Sequence, residues 1–190
     1  MCSLHLWAVV ALSMNFMATS LAIERPAIKD STIFRSTISC ANCPDRNCYK
    51  CTLGHESTLK ANTGGLAYIR SLIGFQLPVP STSISLCTVQ FPAFTAYIQA
   101  PVNVTVSQAL FSNWDENTVT AENAPESGDI FREVEVEAYA NMPALDITPA
   151  CQGADGDGNF SIYLGTRFGW IEVWSKDERS PAILHITTFP

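Results

Sequence analysis

Positive charge is scarce in this chain: eleven Lys and Arg stand against eighteen Asp and Glu, for a formal net charge of −7. A field of that sign repels nucleic-acid phosphates and anionic membrane surfaces, so no nucleic acid is expected as a partner. Histidine is scarcer still at three residues. Of these, His5 lies in the opening segment, His185 sits inside a strand-like pattern, and His55 is left as the sole other imidazole. No G-x-S-x-G elbow and no H-E-x-x-H pair occurs, which removes the anchors of serine-hydrolase and metalloprotease readings. Also missing are a convincing amphipathic helix, an internal repeat and any low-complexity tract. What remains is 190 residues with 47% hydrophobic content, enough to fill the core of one domain.

Long apolar runs are confined to the start. Residues 6–12 and the stretch past Met14 are apolar, with no charge before Glu24. Ser13 and Asn15 break the run, which falls short of the roughly 20 apolar residues that span a bilayer. Ser20 and Ala22 suit the small-residue positions of a cleavage site after Ala22. Residues 1–22 therefore read as a signal peptide, with His5 as the only positive candidate at its start and an uncleaved anchor as the alternative. Loss of Cys2 with the leader leaves Cys40, Cys43, Cys48, Cys51, Cys87 and Cys151, an even count that reads as three disulfides in an exported chain. Asn103-Val104-Thr105 and Asn159-Phe160-Ser161 are N-glycosylation sequons suited to the same compartment. The expected location is secreted and extracellular, without membrane insertion; the oligomeric state is open.

Residues 23–52 form a polar N-terminal segment ending in a Cys-rich knot, and residues 53–190 follow as the main body of one domain. There, short runs alternate apolar and polar residues between Gly, Pro, Asn and Ser, which is the strand period. Residues 68–77 are apolar on both faces apart from Arg70, Ser71 and Gln76, as in an interior strand. Val102, Val104 and Val106 should turn inward and Asn103, Thr105 and Ser107 outward. Glu133, Glu135 and Glu137 alternate with Val134, Val136 and Ala138 and read as a solvated sheet face. Further strands are expected over residues 160–168, 170–175 and 182–188, the last with Leu184 and Ile186 inward. Eight or so such strands predict an all-β, jelly-roll-type β-sandwich with a disulfide-stapled N-terminal segment.

Several motifs bear on chemistry. The spacing Cys40-x2-Cys43-x4-Cys48-x2-Cys51 also fits a four-thiolate zinc site, but an oxidising export route favours disulfides stapling the segment to the sandwich. Many pairings are open, with Cys87 to Cys151 one of them. Asp115 and Glu116 are adjacent carboxylates of the kind a glycosidase needs, although adjacent strand residues face opposite ways and such acids commonly hold turns. Asp155-Gly156-Asp157-Gly158-Asn159 has the alternating oxygens of a calcium loop but no closing Glu, so calcium at Asp155 and Asp157 competes with a plain turn. No other cofactor is expected. Trp170 and Trp174 share a strand face with Glu172, about 13 Å apart at roughly 3.3 Å per residue, a spacing that suits stacking on separated sugar rings. Burial of both indoles is the competing expectation.

The stretch Asn113-Trp114-Asp115-Glu116-Asn117-Thr118-Val119-Thr120 with Asn123-Ala124-Pro125 resembles the W-x-E-x-T-V-T…N-x-P signature of DNRLRE domains, which include carbohydrate-binding module family 96. Arg70-Ser71-Leu72-Ile73-Gly74-Phe75-Gln76-Leu77-Pro78 is similar to the family's early strand, with Gln76 where the family has Asp. Asp146-Ile147-Thr148, Ser175-Lys176-Asp177-Glu178 and Pro181-Ala182-Ile183-Leu184 follow in the family's order. The resemblance implies a jelly-roll sandwich of extracellular proteins without a catalytic centre, and an alginate-like ligand for the founding module. A polyanionic sugar wants Lys and Arg, whereas this chain is acidic. The signature residues read as architecture, with Trp114 in the core and Asp115 or Glu116 at a turn. The expectation is a secreted, non-catalytic module that binds extracellular or cell-wall polysaccharide; the alternatives are a secreted protein-binding protein or effector, and an orphan hydrolase.

Overall fold

The computed structural model describes residues 20–64 and 67–190; all but the last three residues of the expected leader lie outside them. Among the described residues the all-β expectation is met. Eleven strands form: β1 Ala22–Pro26, β2 Lys29–Ser36, β3 Thr58–Gly64, β4 Ala67–Gln76, β5 Ile84–Gln90, β6 Val102–Ala109, β7 Ser127–Val136, β8 Leu145–Asp146, β9 Asn159–Thr166, β10 Gly169–Trp174 and β11 Ile183–Thr188. One short helix, α1 Thr148–Gln152, follows β8.

The smaller sheet runs β1-β11-β5-β8 and the larger β10-β3-β4-β9-β6-β7, with β2 paired to β4 as well. Each pair is antiparallel. Strand period places every second residue in one core between the sheets: Ile73 and Phe75 of β4, Val104 and Val106 of β6, Ile162 and Leu164 of β9, opposite Val89, Leu184 and Ile186. Leu184 and Ile186 therefore point inward as their alternation predicts.

Position and burial depart from the sequence expectation in three places. The polar N-terminal segment is no appendage, because β1 pairs with β11 in one sheet and β2 with β4 in the other. Its polar residues Asp30, Ser31 and Thr32 are buried, with Asp30 Oδ2 and Thr32 Oγ1 accepting from the N–H groups of Lys176 and Lys60, so their polarity misreads as exposure. Thr105 and Ser107 are buried as well, because neighbouring strands and the chain after β6 shelter the outer face of β6; Asn103 and Asn159 stay half-buried. The knot closes on itself through Cys40–Cys48 and Cys43–Cys51, so neither bridge staples the segment to the sandwich. The third bridge, Cys87–Cys151, ties β5 to α1. Oxidation of all six thiols leaves none as a zinc ligand.

A second apolar cluster covers the outer face of the large sheet. Residues 110–126, between β6 and β7, fold back so that Trp114, Val119, Ala121 and Ala124 meet Ile33, Leu72 and Tyr163, with Tyr49 of the knot against them. The Trp114 Nε1–H donates to Ser161 Oγ at 2.9 Å, and the Tyr163 hydroxyl donates to the Pro125 carbonyl at 2.6 Å. Lys29 Nζ lies 4.4 Å from the Trp114 ring centre and donates to the carbonyls of Ser112 and Trp114, each at 2.6 Å. Trp114 thus holds the architectural place that its motif implies. Gly54 is needed where this loop meets the knot, since a Cβ there would lie 2.2 Å from the Glu116 carbonyl oxygen.

Candidate functional site

Strand β10 sends alternate residues to opposite sides. Ile171 and Val173 are buried in the core, which leaves Trp170, Glu172 and Trp174 on the other face, opposite Asn62, Lys60 and Thr58 of β3. Both indoles are open to solvent, Trp170 at 47% and Trp174 at 37% of full exposure. Glu172 accepts from Thr58 Oγ1 and lies 3.7 Å from Lys60 Nζ, which neutralises the charge between the two rings. The Thr95 N–H donates to the Glu172 carbonyl at 2.9 Å, fixing the free edge of β10.

Trp170 lines a groove of about 470 Å³ between this strand pair and the knot. Phe34 and Ile69 supply apolar surface, Thr58, Lys60, Glu56 and Asn42 supply polar groups, and Cys43 and Cys51 form part of the knot wall. An open aromatic face with a few converging polar side chains is the usual make-up of a small-ligand site. Trp174 shares the face of Trp170 but does not line this groove, so the structure assembles only part of the expected pair. Asn42, Glu56 and Lys60 went unrecognised in the sequence, because their convergence requires the pairing of β10 with β3 and the docking of the knot.

The carboxylates Asp115 and Glu116 are engaged in holding the covering loop. Asp115 Oδ1 accepts from the Asn117 backbone and side-chain N–H groups, both at 2.9 Å. Glu116 accepts from the Asp30 N–H at 2.7 Å and pairs with Lys176 Nζ at 3.0 Å. His55 reaches Asn117 Oδ1 at 2.8 Å and Asp177 at 3.5 Å, and the Asn117 bond chiefly holds its pKa above the ordinary imidazole value. Asp30 is the most perturbed carboxyl of the group. Burial pushes its pKa from 3.8 to about 6, against the opposing hydrogen bond from the Lys176 N–H at 2.9 Å, while Oδ1 has no partner among the described residues. At 2% exposure it is sealed from any substrate, so its shift belongs to folding.

That shift has a definite sign. A carboxyl whose pKa is raised on folding favours the folded state fully below the unfolded pKa and loses that contribution as pH climbs through the folded value. Asp30→Asn should therefore remove a destabilisation that develops in the wild type between pH 3.8 and about 6, reaching about 3 kcal/mol at most. Denaturant unfolding of both proteins across that window checks this; parallel pH profiles would contradict it.

The Asp155 loop is built as a turn. Oδ1 of Asp155 accepts from the N–H groups of Asp157 (3.0 Å) and Asn159 (2.7 Å), and Oδ2 accepts from Ser112 Oγ at 3.1 Å. Among the described residues no three His, Cys, Asp or Glu side chains are grouped to hold a metal ion. His185 pairs with Glu24 at 3.2 Å on the outside of the small sheet.

Fold and groove together define a disulfide-bonded all-β protein with an open aromatic cleft. Residues 50–188 match Carbohydrate-binding module family 96, and the chain belongs to that family. It is 61% identical over 163 residues to an uncharacterized secreted protein of Arthroderma benhamiae, a match covering 86% of this chain and 84% of that one. This chain is likewise secreted. No helix among the described residues is long and apolar enough to cross a membrane.

Proposed function

We propose that this protein is a non-catalytic module that binds a neutral extracellular or cell-wall polysaccharide, with a leader over residues 1–22 directing its export. The sugar chain lies in the groove between the knot and the paired strands β3 and β10, one ring stacked on Trp170. The observation that carries this reading is the half-exposed Trp170 beside Asn42, Glu56, Thr58 and Lys60 in one groove. Sugar rings offer C–H faces to an indole and hydroxyls to such a rim. The Lys60–Glu172 pair supports a neutral ligand, since it ties up the cation that lines the groove with the stacking ring.

Trp170→Ala should weaken retention on an insoluble neutral polysaccharide at least about tenfold, a change of about 1.4 kcal/mol. Depletion of protein from solution over a panel of cell-wall polysaccharides measures it. The reading fails if the wild type is retained by none of them. A protein-binding role is the second reading, favoured by the adjacent exposed Leu110 and Phe111; a wild type that no polysaccharide retains but that binds a protein, with that binding lost in Phe111→Ser, would support it.

A further inference from the structure

Arg70 and Ile69 are neighbours on β4 and so point to opposite faces of the strand. Ile69 contributes to the Trp170 groove, whereas Arg70 lines a separate cavity of about 240 Å³ on the other side. The Arg70 guanidinium carbon lies 4.1 Å from the Tyr68 ring centre and 5.5 Å from that of Tyr163. The rings hold the group in place through its π-faces and leave its N–H edges unused. Among the described residues no carboxylate pairs with Arg70 and no acceptor takes its N–H groups, although burial disfavours its charge. A partly desolvated guanidinium with five donors and no acceptor calls for an anion.

The surroundings fit one. Gly165 lies beside Arg70, and a Cβ there would sit 3.0 Å from Thr105 Oγ1 and 3.7 Å from the Arg70 side chain, so the glycine keeps the space open. Thr105 is buried and its hydroxyl meets no partner among the described residues, yet it borders the same cavity. Arg167 borders the cavity too, and Arg35 flanks the adjoining pocket that Arg70 also lines. Each has one acid beside it, Arg35 with Glu126 at 3.6 Å and Arg167 with Glu133 at 3.1 Å, and Glu126 also attracts the Arg70 charge without pairing with it. Three arginines thus gather in a chain that has eleven basic residues in all.

We propose that this cavity is a second binding site, independent of the Trp170 groove, that takes a tetrahedral oxyanion such as a phosphate or sulfate group between Arg70 and the Thr105 hydroxyl. Donors approach from two sides, the guanidinium edge and the Thr105 hydroxyl, which suits the spread oxygens of a tetrahedral anion. The group arrives either as the free ion or as an ester on a sugar.

Thermal unfolding at constant ionic strength tests this with inorganic phosphate, glucose 6-phosphate and acetate. The melting temperature of the wild type should rise with either phosphate and stay unchanged in acetate, since a ligand that binds only the folded state stabilises it by mass action. The phosphate that acts at the lower concentration identifies the source. Arg70→Gln should raise the concentration needed at least tenfold. Thr105→Val, which keeps the side-chain shape and removes the hydroxyl, should raise it several-fold, and it serves as the deciding variant if Arg70→Gln does not fold. No shift with either phosphate overturns the site, as do equal shifts in wild type and Thr105→Val. Neither result touches polysaccharide retention through Trp170.

Discussion

Trp114→Ala should lower the unfolding free energy by about 3–5 kcal/mol, the range for removing a large aromatic from a packed interior. The indole is buried at the centre of the outer cluster, donates to Ser161 and lies beneath the Lys29 ammonium. Its loss would leave Ser161 Oγ without that donor and unseat residues 110–126, which carry Glu116 and hence the bond to Asp30. The midpoint of denaturant unfolding measures this. Trp174→Ala, at a solvent-open position, is the control and should cost less than about 1 kcal/mol. Equal losses in the two variants would contradict the architectural role of Trp114.

The second large effect is expected at Cys87–Cys151. This bridge closes a sequence separation of 64 residues, whereas each knot bridge closes 8. Cross-linking restricts the unfolded chain more as the closed loop lengthens, so the chain-entropy estimate is about 4 kcal/mol for the long loop and about 2.5 for a short one. Replacing both Cys87 and Cys151 by Ala should therefore destabilise the protein more than replacing Cys40 and Cys48. Chemical unfolding of the two double variants decides the order; the reverse order would place the main support in the knot.

Strands whose two faces differ in environment were readable from the chain itself. Period two placed β6, β7, β9, β10 and β11 close to where they fold, a run apolar on both faces marked β4, and Ile171, Val173, Leu184 and Ile186 are buried as alternation requires. Strands β1 and β2 were hidden because their residues are largely polar, and in β2 the Trp114 carbonyl receives Lys29 while Glu116 and Lys176 receive Asp30. Those partners lie about 80 or more residues away, and local polarity contains no trace of them. The same limit applies to function. That Trp170 faces away from Ile171 follows from alternation, but its exposure and the groove beside it depend on the knot and on β3, and the Arg70 cavity depends on a glycine in β9. Trp114 was readable only through its motif, since the chain between β6 and β7 has no periodic pattern to mark it as buried.

The central claim is that Trp170 is the surface on which a sugar ring rests. The most direct measurement follows the indole N–H resonances of Trp114, Trp170 and Trp174 by NMR while soluble oligosaccharides of a retaining polysaccharide are added. The Trp170 resonance should move in proportion to occupancy, while that of buried Trp114 stays in place. Binding that leaves the Trp170 resonance unmoved would contradict the account.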